Sequence, residues 1–201
     1  MIDWATWQPA QRATLLFILR EEKILLIHKL RGFGAGKVNG PGGKIDPGES
    51  ALDAALRETF EELDIMPLGA EQRGQLHFQF HDGYSLQCTV FLACDFLGQP
   101  RATAEAIPFW VEVNQIPYAQ MWADDRHWLP LLISGAHFDG YFEFAGEQLL
   151  AHQLVVRQTA PENAITKSLV EKSPPPPEST AACRLLVEGQ SGAADDAGVV
   201  P

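Results

Sequence analysis

A chain of 201 residues with 46% hydrophobic composition is long enough for one domain with a substantial core. Its formal net charge of −11 argues against the basic footprint that grips a nucleic-acid backbone, so no DNA or RNA polymer is expected as a partner. No run of about 18 apolar residues is present. The opening MIDWATWQPAQR also lacks the basic start and apolar stretch of a secretion signal, so a soluble, cytoplasmic protein with no membrane partner is expected; a monomer is expected too, although nothing in the sequence fixes the oligomeric state.

Behind an N-terminal segment of residues 1–13, residues 14–20 and 23–29 read as strands joined by the polar Glu21-Glu22 turn. Residues 31–48 form a loop with seven glycines and two prolines, whose backbone can approach a ligand closely. A helix follows. Residues 72–80 and 85–95 then read as strands around the His81-Asp82-Gly83 turn, and residues 109–113 as another. A second helix begins near Asp125 and includes residues 128–133, and residues 138–144 with 148–157 form a closing hairpin. One domain over residues 14–158 is expected, and pattern alone gives mixed α and β. Residues 159–201, with Pro174, Pro175, Pro176 and Pro177 in succession among small polar residues, are expected to be a disordered tail.

The first helix carries the chemistry. At about 3.6 residues per turn, Leu52, Ala55, Leu56, Thr59 and Leu63 share one stripe while Glu58, Glu61 and Glu62 gather opposite. Like charges one turn apart destabilise an isolated helix by roughly 0.2–0.5 kcal/mol per pair, so a cation is expected among them. Oxygen ligands without His or Cys point to Mg²⁺, with Mn²⁺ possible, and to metal-assisted attack of water on phosphorus. Arg57 interrupts the acids where it can pair with Glu49 and pin the preceding loop to the helix.

Gly43, five residues, Glu49, seven residues, then Arg57-Glu58-Thr59-Phe60-Glu61-Glu62 resembles the Nudix box, the signature of the Nudix hydrolases. All charged positions and both spacings agree. Asp64 stands in place of a glycine at the helix end and Thr59 in place of an aliphatic residue, and neither change removes a ligand. The resemblance implies an α/β fold, the Nudix-type α/β/α sandwich with a central mixed sheet. It also implies metal binding by the Gly43 carbonyl, Glu58, Glu61 and Glu62, with Glu105 a further ligand, the three helix glutamates forming the catalytic set.

Residues 29–40, 121–125 and 138–142 are further similar to the branch of that family that sanitises oxidised purine nucleoside triphosphates, the 8-oxo-dGTPases related to MutT. In that branch an Asn and two adjacent Asp residues read the base edge, which carries over to Asn39, Asp124 and Asp125. Trp122 and Phe33 would sandwich or line the base, Phe78 or Phe80 would line the pocket, and Lys29 and Lys44 would steady phosphate oxygens. A purine needs an aromatic plane, worth about 1–3 kcal/mol per base, and in-plane donors and acceptors. Two adjacent Asp in an apolar pocket should push one pKa upward, and exchange of protonation between them would let one pocket accept 8-oxoguanine and 2-oxoadenine. Val38, Pro41 and the short turn at residues 81–84 depart from the branch, so the pocket walls are expected to differ. Two other readings are a Nudix hydrolase of dinucleotide polyphosphates or nucleotide sugars, and a non-catalytic nucleotide-binding regulator.

Overall fold

Strands β1 (Gln11–Arg20) and β2 (Lys23–Lys29) pair only beside their shared turn, at Ile18 with Leu25, Leu19 with Ile24 and Arg20 with Lys23, and then diverge. The end of the glycine-rich loop occupies the gap. Its short strand β3 (Val38–Asn39) pairs with Ile27 and His28 of β2, while the Pro41 and Gly43 carbonyls accept from the Leu16 and Thr14 amides of β1 at 2.9 and 2.8 Å. Only glycine fits where this segment presses on β1: a Cβ on Gly42 would lie 2.1 Å from the Thr14 carbonyl oxygen. A ligand-facing loop is thereby built into the sheet.

The computed structural model describes residues 2–157, and the tail expected over residues 159–201, with its proline run, lies outside the described residues. Helix α1 spans Ala51–Leu63, followed by β4 (Ile65–Leu68), β5 (Glu71–Phe80), β6 (Ser85–Ala93), β7 (Asp95–Gly98) and β8 (Ala106–Glu112). Helix α2 (Asp125–Ile133) and the hairpin β9 (His137–Ala145) and β10 (Gln148–Arg157) close the fold. The main sheet runs β10-β9-β5-β6-β1-β2-β3, with β8 on the other edge of β2, and β4 and β7 form a separate ribbon. It is mixed, with β1–β6 and β5–β9 parallel and the remaining pairs antiparallel.

Alternation along β1 and β2 divides the core in two. Leu16, Ile18, Leu25 and Ile27 pack with Ala55 and Leu63 of α1, whereas Phe17, Leu19, Ile24 and Leu26 pack with Trp128, Leu129 and Leu132 of α2. The expected α/β/α sandwich with a central mixed sheet is therefore the observed architecture. Helix α1 departs from its expected stripe: Leu52 is exposed, while Ala54 and Glu62 are buried beside Ala55, Thr59 and Leu63. Thr59 fits because its hydroxyl donates to the Ala55 carbonyl at 2.7 Å. Ahead of β1, which begins at Gln11, Trp4 and Trp7 pack against each other and against His77 on the outer face of β5. Cys88 is a buried free thiol. Among the described residues no helix is long and apolar enough to cross a membrane.

Candidate active site

A cavity of about 450 Å³ opens where β1 and β2 diverge, between the glycine-rich loop, β5, β6 and the start of α2. Gly43, Glu58, Lys29 and Glu105 line one part of it, and Asn39, Trp122, Asp124 and Asp125 another.

At the acidic end, the Glu58 carboxylate fills the space a side chain on Gly43 would need: a Cβ there would lie 2.3 Å from it. Arg57 holds the surroundings in place. Its Nε and Nη2 donate to the two Glu49 oxygens at 2.9 and 3.0 Å, Nη1 donates to Glu58 at 2.8 Å, and Nη2 also reaches the Lys44 carbonyl at 3.1 Å. The fork on Glu49 is the bidentate geometry expected of this pair, and the Arg57 hydrogen bond holds the Glu49 carboxyl below its ordinary pKa. Glu61 is half exposed, with Arg57 at 3.4 Å.

Glu62 is not on an acidic outer face. It is 1% exposed, accepting from Lys29 Nζ at 2.7 Å and from the Gly42 amide at 2.9 Å. Burial pushes its pKa up while Lys29 opposes that shift. Lys29 also donates to the Gly42 carbonyl at 2.8 Å, so two of its three N–H groups tie the loop to α1 and the third remains for a ligand.

These donors suit a hard cation in kind, since carboxylates and the Gly43 carbonyl offer oxygen alone. Among the described residues no three His, Cys, Asp or Glu side chains converge closely enough to hold an ion by themselves, and Glu58 and Glu62 are each paired with a cation of the chain. That arrangement fits an ion such as Mg²⁺, which takes one or two carboxylates and completes its shell with water and substrate phosphate.

At the other end, Asp124 and Asp125 are 2% and 3% exposed. Asp124 accepts from Trp128 Nε1 at 2.8 Å and Asp125 from the Trp122 amide at 2.9 Å. Burial pushes Asp124 up to about 6, and burial together with Asp124 pushes Asp125 well above the carboxylate range. Asn39 Oδ1 accepts from the Gly40 amide at 2.8 Å, which leaves its NH₂ group as donor. Phe33 and Trp122 stack on each other, with centroids 5.3 Å apart and planes at 10°, so they line the cavity and leave no slot for a base between them. Phe78 and Phe80, two apart on β5, share a face and both line it.

Thr14, Tyr84 and Trp128 are among the lining residues that the sequence reading did not assign to the pocket. The Thr14 hydroxyl is buried without a hydrogen-bond partner, and Tyr84 sits beside Phe33 and Phe80 at 5.8 and 5.7 Å. Thr14 reads as an ordinary strand residue; Tyr84 could have been found from the shortened turn, which directs it back over the cavity.

Residues 9–132 match the NUDIX domain family, and the chain belongs to that family, as a Nudix hydrolase. It is 38% identical over 143 residues to the oxidized purine nucleoside triphosphate hydrolase of Danio rerio, covering 70% of this chain and 92% of that one. Identity to the Mus musculus protein of the same name is 36% over 138 residues, covering 68% and 88%. The fold is similar to that of the mutator MutT protein from Bacillus halodurans, with a TM-score of 0.65 and 26% identity over 72% of this chain and 97% of that one.

Proposed function

We propose that the chain hydrolyses oxidised or otherwise modified purine nucleoside triphosphates, of the 8-oxo-dGTP and 2-oxo-dATP type, to the monophosphate and pyrophosphate. The observation that carries this reading is one cavity with a buried Asp pair, an Asn amide and a Trp at one end and the Gly43–Glu58 cradle at the other. Both named relatives are oxidized purine nucleoside triphosphate hydrolases, which supports the same substrate class.

In this reading Asn39 donates to the base edge, and Asp124 and Asp125 divide one proton between them, so the pair offers a donor and an acceptor together. Exchanging which Asp carries the proton would accommodate either oxidised purine. The orphan Thr14 hydroxyl and the remaining Lys29 N–H meet polar oxygens between base and phosphates. Glu58, Glu61, Glu62, Glu105 and the Gly43 carbonyl are the oxygen donors from which one or two carboxylates would hold Mg²⁺ or Mn²⁺ directly, the others acting through water. When bound, the metal neutralises phosphate charge and lowers the pKa of an attacking water. Arg57 and Glu49 keep the loop and helix in register, and Lys29 fixes Glu62.

The test is pyrophosphate release from normal, oxidised and methylated purine triphosphates, with and without EDTA. Selective, EDTA-sensitive turnover of the modified purines is expected, abolished in Glu62→Gln. Turnover confined to dinucleotide polyphosphates or nucleotide sugars would overturn the purine reading.

A further inference from the structure

Lys37 lies outside the cavity lining, yet its side chain spans the loop side of the site. It follows Gly36, whose φ of 87° belongs to the left-handed region, and its backbone is fixed on both sides: the amide donates to the Gly34 carbonyl and the carbonyl accepts from the Lys29 amide, both at 3.0 Å. From there the ammonium reaches Glu147, in the β9–β10 turn and 110 residues away, at 3.0 Å. It also stands 4.9 Å from the centre of the Trp122 ring. Glu147 is 74% exposed, so the ion pair alone contributes little. A cation over a tryptophan face contributes more, and Lys37 is only 20% exposed.

We propose that Lys37 is a positioning residue for base recognition: anchored by Glu147, it holds Trp122 in the cavity wall and places a positive charge beside the Asp124–Asp125 pair. The proposal rests on the purine reading above. Its geometry is a short chain of contacts, because the residue under Lys37 is the one whose amide donates to Asp125 at 2.9 Å. Among the described residues, the other titratable groups that interact with the pair are Tyr118, from the turn before Met121, and Cys88 on β6. Burial raises both of these above their ordinary values, so both are neutral near pH 7, whereas Lys37 draws Asp125 downward. Without Lys37, Asp125 would hold its proton to higher pH, and Trp122, whose amide donates to that carboxyl, would lose the cation over its ring.

The full chain with Lys37→Met, Lys37→Arg or Glu147→Gln tests this by two readouts. Carboxyl-carbon NMR titration without substrate should show the Asp pair titrating about 0.5–1 pH unit higher in Lys37→Met. KM for 8-oxo-dGTP at pH 7 should rise about three- to tenfold with a smaller change in kcat. Lys37→Arg should restore both, and Glu147→Gln should raise KM about twofold. An unshifted titration in Lys37→Met, or failure of Lys37→Arg to restore it, would overturn the proposal. If the wild-type chain turned over no purine triphosphate, the substrate reading would fall, and the substrate-free titration would still decide what Lys37 does.

Discussion

Gly43 has no side chain because the Glu58 carboxylate stands where one would be, and the adjoining loop cannot retreat because Gly42 already presses on the Thr14 carbonyl. Gly43→Ala must therefore displace Glu58, and misplacement by about 1 Å at a reacting centre can cost on the order of 10²-fold in rate. A fall in kcat of that order is expected, with the midpoint of thermal unfolding nearly unchanged, as read by pyrophosphate release and calorimetry. The Asp pair gives a residue-scale prediction of a different sign. Burial lifts Asp124 to about 6 in the folded chain, against ~4 for an unfolded aspartate. Between those values the folded state holds more protons, so stability falls as pH rises. The contribution is present below ~4 and lost as pH passes through about 6, a loss on the order of 2 kcal/mol. Urea unfolding of wild type and Asp124→Asn from pH 4 to 8 should show a stability difference that varies with pH over this window; a constant difference would contradict the assignment.

Helix α1 is defined by its ends as much as by its face. Ser50 caps it in an extended conformation, accepting from the Asp53 amide at 3.1 Å, and Asp64 terminates it with φ 58° and ψ 35°. That left-handed position suits glycine, and the Asp64–Arg101 ion pair that would be lost is exposed. Asp64→Gly is expected to stabilise the fold by about 0.5–1 kcal/mol, checked by chemical denaturation. Most of this helix was legible in the sequence: the spacing put Arg57 within reach of Glu49, and the resemblance to the Nudix box implied that Glu58 and Gly43 share a site. The burial of Glu62 was not, since it depends on Lys29 and the Gly42 amide, partners distant in sequence that the divergence of β1 and β2 brings close. The same divergence creates β3, too short at two residues to leave a periodic signal. The β4–β7 ribbon was missed for a related reason: Ile65–Leu68 is four residues containing a proline, and its register is set by pairing with Asp95–Gly98 rather than by local pattern. The substrate end was legible as residue types, but a sequence cannot show that Phe33 rests on Trp122.

Across the whole molecule, fold and recognition share one residue. Trp128, fully buried on α2, packs on Phe17 of β1 and Phe138 of β9, lines the cavity, and donates its indole N–H to Asp124. It thus ties two strands of the sheet to the helix that carries the Asp pair, so stability and the proposed base reading cannot vary independently there. Trp128→Phe keeps most of the apolar contact but leaves the Asp124 carboxylate buried without that donor, a loss of about 1–3 kcal/mol beyond the cost of the void. The hydrogen bond holds the Asp124 pKa down against burial, so its removal should also move the pair's titration upward. Denaturation should therefore show a loss of roughly 2–4 kcal/mol, and the pH profile of kcat/KM on a modified purine triphosphate should move to higher pH in the same variant. A loss of stability with an unmoved pH profile would mean that Trp128 serves the core alone and that the cavity's electrostatics are set elsewhere.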